Sequence, residues 1–407
     1  MITISDLHAR GPGMPEVSLL GMVPDFWGRS WQSRHFVLSR LAKYFHVVWH
    51  NPIYEWREAC FLARSRDPKL SLGDTGVVGL SVYHPGRWLP RFYRPRFLAD
   101  FTQWRRLKGV RQMLNRHRPE KTVLYLWRPE FASALDRFDY DVSCYHIDDE
   151  YTFSFTEKPV SELEANLISR VDQVFIHSSA LMEKKGALNP HTLLVPNGVD
   201  AAAYSTPVDE PADMKSIPRP RIGYIGYIKT QLDFQTCLAL ANRHPQWSFV
   251  FVGPTLDLKD DTACAQELFD LLNVYLLGGK PFDELPGYAQ HMDVCTMCYK
   301  VNDYTKFIYP LKVHEYLAAG RPVVGSPIRS LLEMSGIIAI ASTVEQWSDA
   351  LAVSLLAESN SAEKIRSRQE FARRHDWEDL VLRIARAICE RLGPEYADRL
   401  QALTSAM

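Results

Sequence analysis

Long apolar runs are missing from this chain of 407 residues. No stretch approaches the roughly 20 apolar residues that span a bilayer, and residues 1–10 lack the apolar segment of a signal peptide. A cytoplasmic protein is the expectation. An excess of charge of one sign is missing too: 47 Lys and Arg stand against 48 Asp and Glu. That balance excludes a disordered tail or a protein that coats nucleic acid. Cysteine is scarce, seven residues at scattered positions, and an odd, unpatterned set argues against a disulfide framework. Cys295 and Cys298 form the one close pair, inside the run Val294-Cys295-Thr296-Met297-Cys298-Tyr299. The run reads as a buried strand, and no second pair or histidine cluster completes a tetrahedral metal site.

What is present is an ordinary globular composition, 46% hydrophobic, in a chain longer than one core normally organises, so two domains are expected. Apolar strand-like runs at 17–23, 46–49, 78–83, 123–127, 142–147, 174–177 and 192–195 alternate with helical patterns, the first of them at 31–45. This is the signature of an α/β protein with parallel sheets covered on both faces. Residues 200–220, rich in Ala, Pro and acidic residues, read as a linker or hinge. The pattern restarts at 221–229, with strands expected at 249–252, 274–277, 294–297 and 323–325 and a helical run at 345–392.

The run Tyr309-Pro310-Leu311-Lys312-Val313-His314-Glu315-Tyr316-Leu317-Ala318-Ala319-Gly320-Arg321-Pro322-Val323-Val324 carries the clearest chemistry. Proline suits the first helical position, so Pro310 predicts a helix start, and Gly320 with Pro322 predicts its end and the return to a strand. The free amides from Leu311 onward would face an anion, Lys312 adds charge there, and Glu315 lies one turn later on the same face, where a carboxylate suits ribose hydroxyls. The alternative is an ordinary amphipathic helix before a buried strand.

At these residues the chain resembles the GT-B glycosyltransferases, in particular glycosyltransferase family 4 (group 1) and its bacterial polysaccharide relatives. The resemblance implies two Rossmann-like domains facing across a cleft. Residues 1–199 would form the acceptor domain, 221–376 the nucleotide-sugar domain, and 377–407 a helix crossing back to the first. Asn197-Gly198-Val199-Asp200 and His375-Asp376-Trp377 resemble the family's interdomain crossings. The family's signature has two glutamates eight positions apart; Glu315 matches the second, and Phe307 stands at the first, so the family's retaining outcome is not implied. Lys229, three residues past Gly226, falls where the family sets basic side chains against the donor diphosphate, although Tyr227 replaces part of the usual basic pair. A solvated strand-end lysine is the alternative. Backbone groups around Gly279 and Lys280 are implied to meet the base.

The first domain must supply a group facing that nucleotide. The best candidates are His146, Asp148 and Asp149, in a polar cluster following an apolar strand, where ligands of such sheets bind. Asp149 is favoured as the general base over Asp148, and His146 could serve as the base or hydrogen-bond the sugar. One aspartate could instead cap the next helix and the other be solvated. A metal motif of the GT-A type is not favoured, because a helix dipole and lysines already serve the diphosphate; no metal or other cofactor is expected.

In 84–119, Arg87, Arg91, Arg94, Arg96, Arg105, Arg106, Lys108, Arg111, Arg116 and Arg118 face one carboxylate, Asp100, with Trp88, Phe92, Tyr93, Phe97, Phe101 and Trp104 interleaved. Such a segment attracts anionic lipid headgroups, placing the protein at the inner face of the membrane, unless its aromatics are core and its arginines merely solvated. No recognition motif supports nucleic acid. The expected activity is metal-independent transfer of a hexose-type sugar from a nucleoside-diphosphate sugar to a glycan or polyprenyl-linked acceptor in cell-surface polysaccharide synthesis. A nucleotide-sugar epimerase of the same architecture, or a degenerate partner subunit of a transferase, is the alternative.

Overall fold

The computed structural model describes residues 11–28, 31–53, 75–85, 89–90, 95–152, 154 and 156–405. Thirteen strands are described, in two parallel sheets. The first contains β1 (Val17–Met22), β2 (His46–His50), β3 (Leu80–Tyr83), β4 (Lys121–Leu126), β5 (Val142–Ile147), β6 (Gln173–Ile176) and β7 (Thr192–Leu194), in the spatial order β3-β2-β1-β4-β5-β6-β7. The second contains β8 (Arg221–Ile225), β9 (Ser248–Val252), β10 (Val274–Gly278), β11 (Val294–Met297), β12 (Val323–Gly325) and β13 (Ala339–Ile340), in the order β10-β9-β8-β11-β12-β13. In each sheet the order reverses direction once, between β1 and β4 and between β8 and β11. Ligands of open α/β sheets bind at such reversals, beyond the carboxyl ends of the strands.

The inner strands β5, β6, β8 and β9 are buried on both faces, which is why they read as continuous apolar runs. One face of the first sheet packs on α1 (Ser33–Leu41) and on the helix Trp377–Leu392, which buries Trp377, Leu380, Val381, Ile384 and Ile388; the single helix expected at 377–407 is two, the second being Pro394–Ser405. Each such side chain contributes roughly 1.5–3 kcal/mol when fully buried. The opposite face buries Val110 and Leu114 of α2 (Arg96–Leu114).

The chain crosses between the sheets twice, and the crossings pair with each other: Val199 N donates to the His375 carbonyl at 2.9 Å and Trp377 N to the Val199 carbonyl at 3.0 Å. The segment 200–220, expected as a hinge, instead packs on the second sheet. Its short helix α3 (Ala201–Ser205) buries Tyr204, Met214 and Ile217 join that sheet's core, and Arg221 donates to the Met214 and Ile217 carbonyls at 2.8 and 2.7 Å.

Candidate functional site

The helix expected after Pro310 is α4 (Leu311–Ala318), with Pro310 one residue earlier than expected, as its extended N-cap. No side chain caps it, so its first amides keep their donors for a ligand. Its far end closes as a Schellman motif: Gly320, at φ +74°, donates to the Leu317 carbonyl at 2.9 Å and Arg321 N to the Tyr316 carbonyl at 3.0 Å. Lys312 Nζ lies 3.0 Å from Glu315 Oε2, so the two residues expected at the donor are already joined. Glu315 is buried, and burial together with this carboxylate pushes the Tyr204 phenol well above its ordinary pKa. Leu311 is half-buried against the first sheet's apolar cluster, which sets this helix start at the boundary between the two sheets.

Beyond β8, the backbones of Gly226 and Gly253 touch. A Cβ on Gly253, at φ +148°, would lie 1.9 Å from the Gly226 carbonyl oxygen. The Tyr227 carbonyl accepts from the Tyr224 hydroxyl at 3.1 Å, and this anchored turn delivers Lys229. Burial lowers the Lys229 pKa while Asp149, from the other sheet, works against the shift. Gly279 approaches Pro254 next to the same turn, whereas the Lys280 ammonium turns away, bonding Asp213 at 2.6 Å over the Tyr288 ring. Phe282 carries this loop onto the first domain, stacking on Trp31 at 5.6 Å between ring centroids.

On the first-domain side the three candidates separate. His146 is buried within β5, its Nδ1 at 2.8 Å from the Tyr125 hydroxyl and its ring stacked on Trp127, and burial pushes its pKa down to about 3. This corrects the expectation that His146 acts as base or sugar contact; it is a neutral core histidine. Asp148 is a structural anchor. Its carboxylate pairs with the buried Arg34, which also holds Asp25, and accepts from Ser33 Oγ at 3.2 Å and from the Tyr151 hydroxyl at 2.9 Å. Burial pushes its pKa up, but Arg34, with Arg128 behind it, reverses this and leaves it below the ordinary value.

Asp149 lies just past the end of β5 and faces the second sheet. Burial, then the neighbouring Asp148, raise its pKa to about 6, against the pull of Arg128 and Lys229. Its Oδ1 accepts from Glu150 N at 2.8 Å, and its Oδ2 lies 3.4 Å from the Tyr304 hydroxyl of the second domain. Tyr304 was not anticipated from sequence, and the signal for it lay in Phe307. That residue is buried in the first sheet's apolar cluster, so it cannot serve the donor as the family's glutamate does.

The basic aromatic segment is partly described. Phe97, Phe101 and Trp104 are 69%, 53% and 54% exposed and recur at helical spacing on α2, so they form a surface stripe and not a core. Lys108 Nζ sits 5.3 Å over the Trp104 ring. Arg106 corrects the expectation of a free cation, since it is buried and donates to the Leu89 and Pro90 carbonyls, each at 2.9 Å. Arg111 pairs with Asp139 at 2.9 Å. Arg87, Trp88, Arg91, Phe92, Tyr93 and Arg94 lie outside the described residues. No helix among the described residues is long and apolar enough to cross a membrane.

Two parallel α/β units joined by paired crossings, with a helix N-terminus at the second sheet's reversal, define the GT-B fold. Solved structures share it: HepE of Anabaena in complex with UDP and glucose (14% identity, 91% of this chain and 99% of that one, TM-score 0.63), and WaaG, a glycosyltransferase involved in lipopolysaccharide biosynthesis (13%, 90% and 98%, 0.55). A glycosyltransferase of Rickettsia africae matches likewise (10%, 94% and 98%, 0.64). Residues 219–357 match the model of the family described as glycosyl transferases group 1, so the second domain carries that family's sequence pattern. The chain is also 32% identical over 235 residues to TuaH of Bacillus subtilis (strain 168), a protein assigned as a teichuronic acid biosynthesis glycosyltransferase. The match spans 53% of this chain and 58% of that relative's length.

Proposed function

We propose that this protein moves a sugar from a nucleoside-diphosphate sugar to a hydroxyl of a glycan or lipid-linked glycan, in the synthesis of a cell-surface polysaccharide. The reading is carried by one observation: Asp149 of the first domain, its pKa raised to about 6, faces Lys229 of the second, the domain that also carries the uncapped helix start with Lys312 and Glu315. The TuaH match and the UDP and glucose bound in the HepE structure support the same donor class.

In this mechanism the α4 amides, Lys312 and Lys229 hold the diphosphate and stabilise the charge that develops on it as the glycosidic bond breaks, with no metal required. Glu315 receives ribose hydroxyls, exchanging part of its contact with Lys312 for them. Asp149, ionised above pH 6, takes the proton of the acceptor hydroxyl as its oxygen bonds to the anomeric carbon. Contact between the domains around the site excludes water, which would otherwise hydrolyse the donor.

The exposed Phe97, Phe101 and Trp104 stripe, with Arg105 and Lys108 beside it, supports attachment of the first domain to an anionic membrane surface at the cytoplasmic face, where a polyprenyl-linked acceptor would reside. The test of the donor reading is a thermal-shift screen with nucleotide sugars, since a ligand that binds only the folded chain raises its melting temperature. One nucleotide series should stabilise the protein; no shift with any at millimolar concentration contradicts the proposal.

A further inference from the structure

The segment between β11 and α4 is fastened to the first domain, although it belongs in sequence to the second. Phe307 is buried in the first domain's apolar cluster, its ring 4.7 Å from Lys184 Nζ, and its carbonyl accepts from Ser178 Oγ at 3.1 Å. Asp303 accepts from Glu157 N at 3.0 Å, and Lys306 pairs with Glu157 at the same distance. The turn between these anchors is stiff. Asn302 Oδ1 accepts from the amides of Tyr304 and Thr305 at 3.0 and 2.9 Å, and the fully buried Thr305 donates its hydroxyl to the Lys300 carbonyl at 2.7 Å. The backbone of Tyr304 is therefore fixed on both sides, and its hydroxyl reaches Asp149 Oδ2.

From this geometry we infer that Tyr304 is a positioning residue for the reaction: the second domain completes the Asp149 base by orienting its second carboxylate oxygen. Glu150 N holds one oxygen from within the first domain, and Tyr304 holds the other from across the cleft. The inference rests on the reading of Asp149 as the base. Burial and the Asp149 charge both raise the phenol's pKa, so the hydroxyl stays a donor over the whole working range. The turn that aligns the carboxylate leads directly into α4, so the base and the proposed donor helix are linked by one segment. An apolar residue at position 307 is what allows this, because burying it in the first domain pulls the turn across.

The experiment titrates Asp149 by carbon-13 NMR in the ligand-free protein, the Asp149→Asn variant identifying its signal. Tyr304→Phe keeps the ring and removes the hydroxyl. Losing a hydrogen bond to the ionised form should move the Asp149 midpoint up by about one pH unit. Tyr304→Phe should also slow transfer about tenfold in wild type and change nothing further in an Asp149→Asn background. An unmoved midpoint, or equal losses in both backgrounds, overturns the inference. If the midpoint moves but Asp149→Asn still transfers at the wild-type rate, the positioning contact stands and the assignment of Asp149 as base falls.

Discussion

Asp148 and Asp149 are neighbours in sequence, yet their carboxyls are driven in opposite directions: Asp148 below its ordinary pKa by Arg34, Asp149 up to about 6 by burial and by Asp148 itself. Two titratable groups pushed apart in this way take different roles, one as fixed charge and one as proton acceptor.

The pH dependence follows from that split. The folded pKa of Asp149 lies above the unfolded value of about 3.9, so the folded state holds this proton more tightly. Its contribution to stability is therefore full below pH 4 and is lost as the pH rises through 6. The reaction needs the opposite form. Initial rates should fall about tenfold per pH unit below pH 6, and a flat acid limb down to pH 5 would contradict a base at this position.

Asp149→Asn should lower turnover about a hundredfold or more while leaving donor affinity near normal, because the nucleotide is held by the other domain. The same variant should melt at or above the wild-type temperature at pH 7, since a buried carboxylate poorly suited to its ionised state is gone. Near-wild-type transfer in Asp149→Asn would move the catalytic group elsewhere. NMR of the product's anomeric centre then decides between inversion, which requires a base, and retention.

Arg34→Met should destabilise the first domain by about 3–5 kcal/mol, the usual loss when one partner leaves a buried ion pair. Both Asp25 and Asp148 lose their cation. Urea unfolding measures it, and a change under about 1 kcal/mol would show that Asp148 does not depend on the pair.

Replacing Phe97, Trp104 and Lys108 together with Ser should reduce cosedimentation with anionic liposomes at low salt, each basic residue contributing roughly 1 kcal/mol near such a surface. All three lie on the exposed face of α2, so thermal stability should hardly change. Wild-type protein that ignores these liposomes at low salt would refute membrane attachment.

Strands were legible where apolar runs were short and bounded: the expected 142–147, 294–297 and 323–325 are the observed bounds of β5, β11 and β12. The helix expected at 31–45 forms over Ser33–Leu41; it starts after Gln32, whose amide donates to His35 Nδ1 at 3.1 Å, a start outside the usual Ser, Thr, Asp and Asn signals. The bounds of α4 could be read from Pro310 and Gly320, because both act on the helix ends locally. The Asp149–Tyr304 contact spans 155 positions and leaves no local pattern. Composition alone also could not sort the arginines of 84–119, since Arg106 is satisfied by carbonyls 16 and 17 positions away.

Calorimetry reads out whether α4 holds a nucleoside diphosphate through Lys312 and Glu315. Wild-type protein titrated with a panel of nucleoside diphosphates should bind one base with measurable affinity. Glu315→Ala should weaken that binding by about 1.5–3 kcal/mol, the worth of a hydrogen bond to a charged group, while the circular dichroism spectrum stays unchanged. Unaltered affinity in folded Glu315→Ala, or no binding of any nucleoside diphosphate by the wild type, would show that α4 is not a nucleotide site.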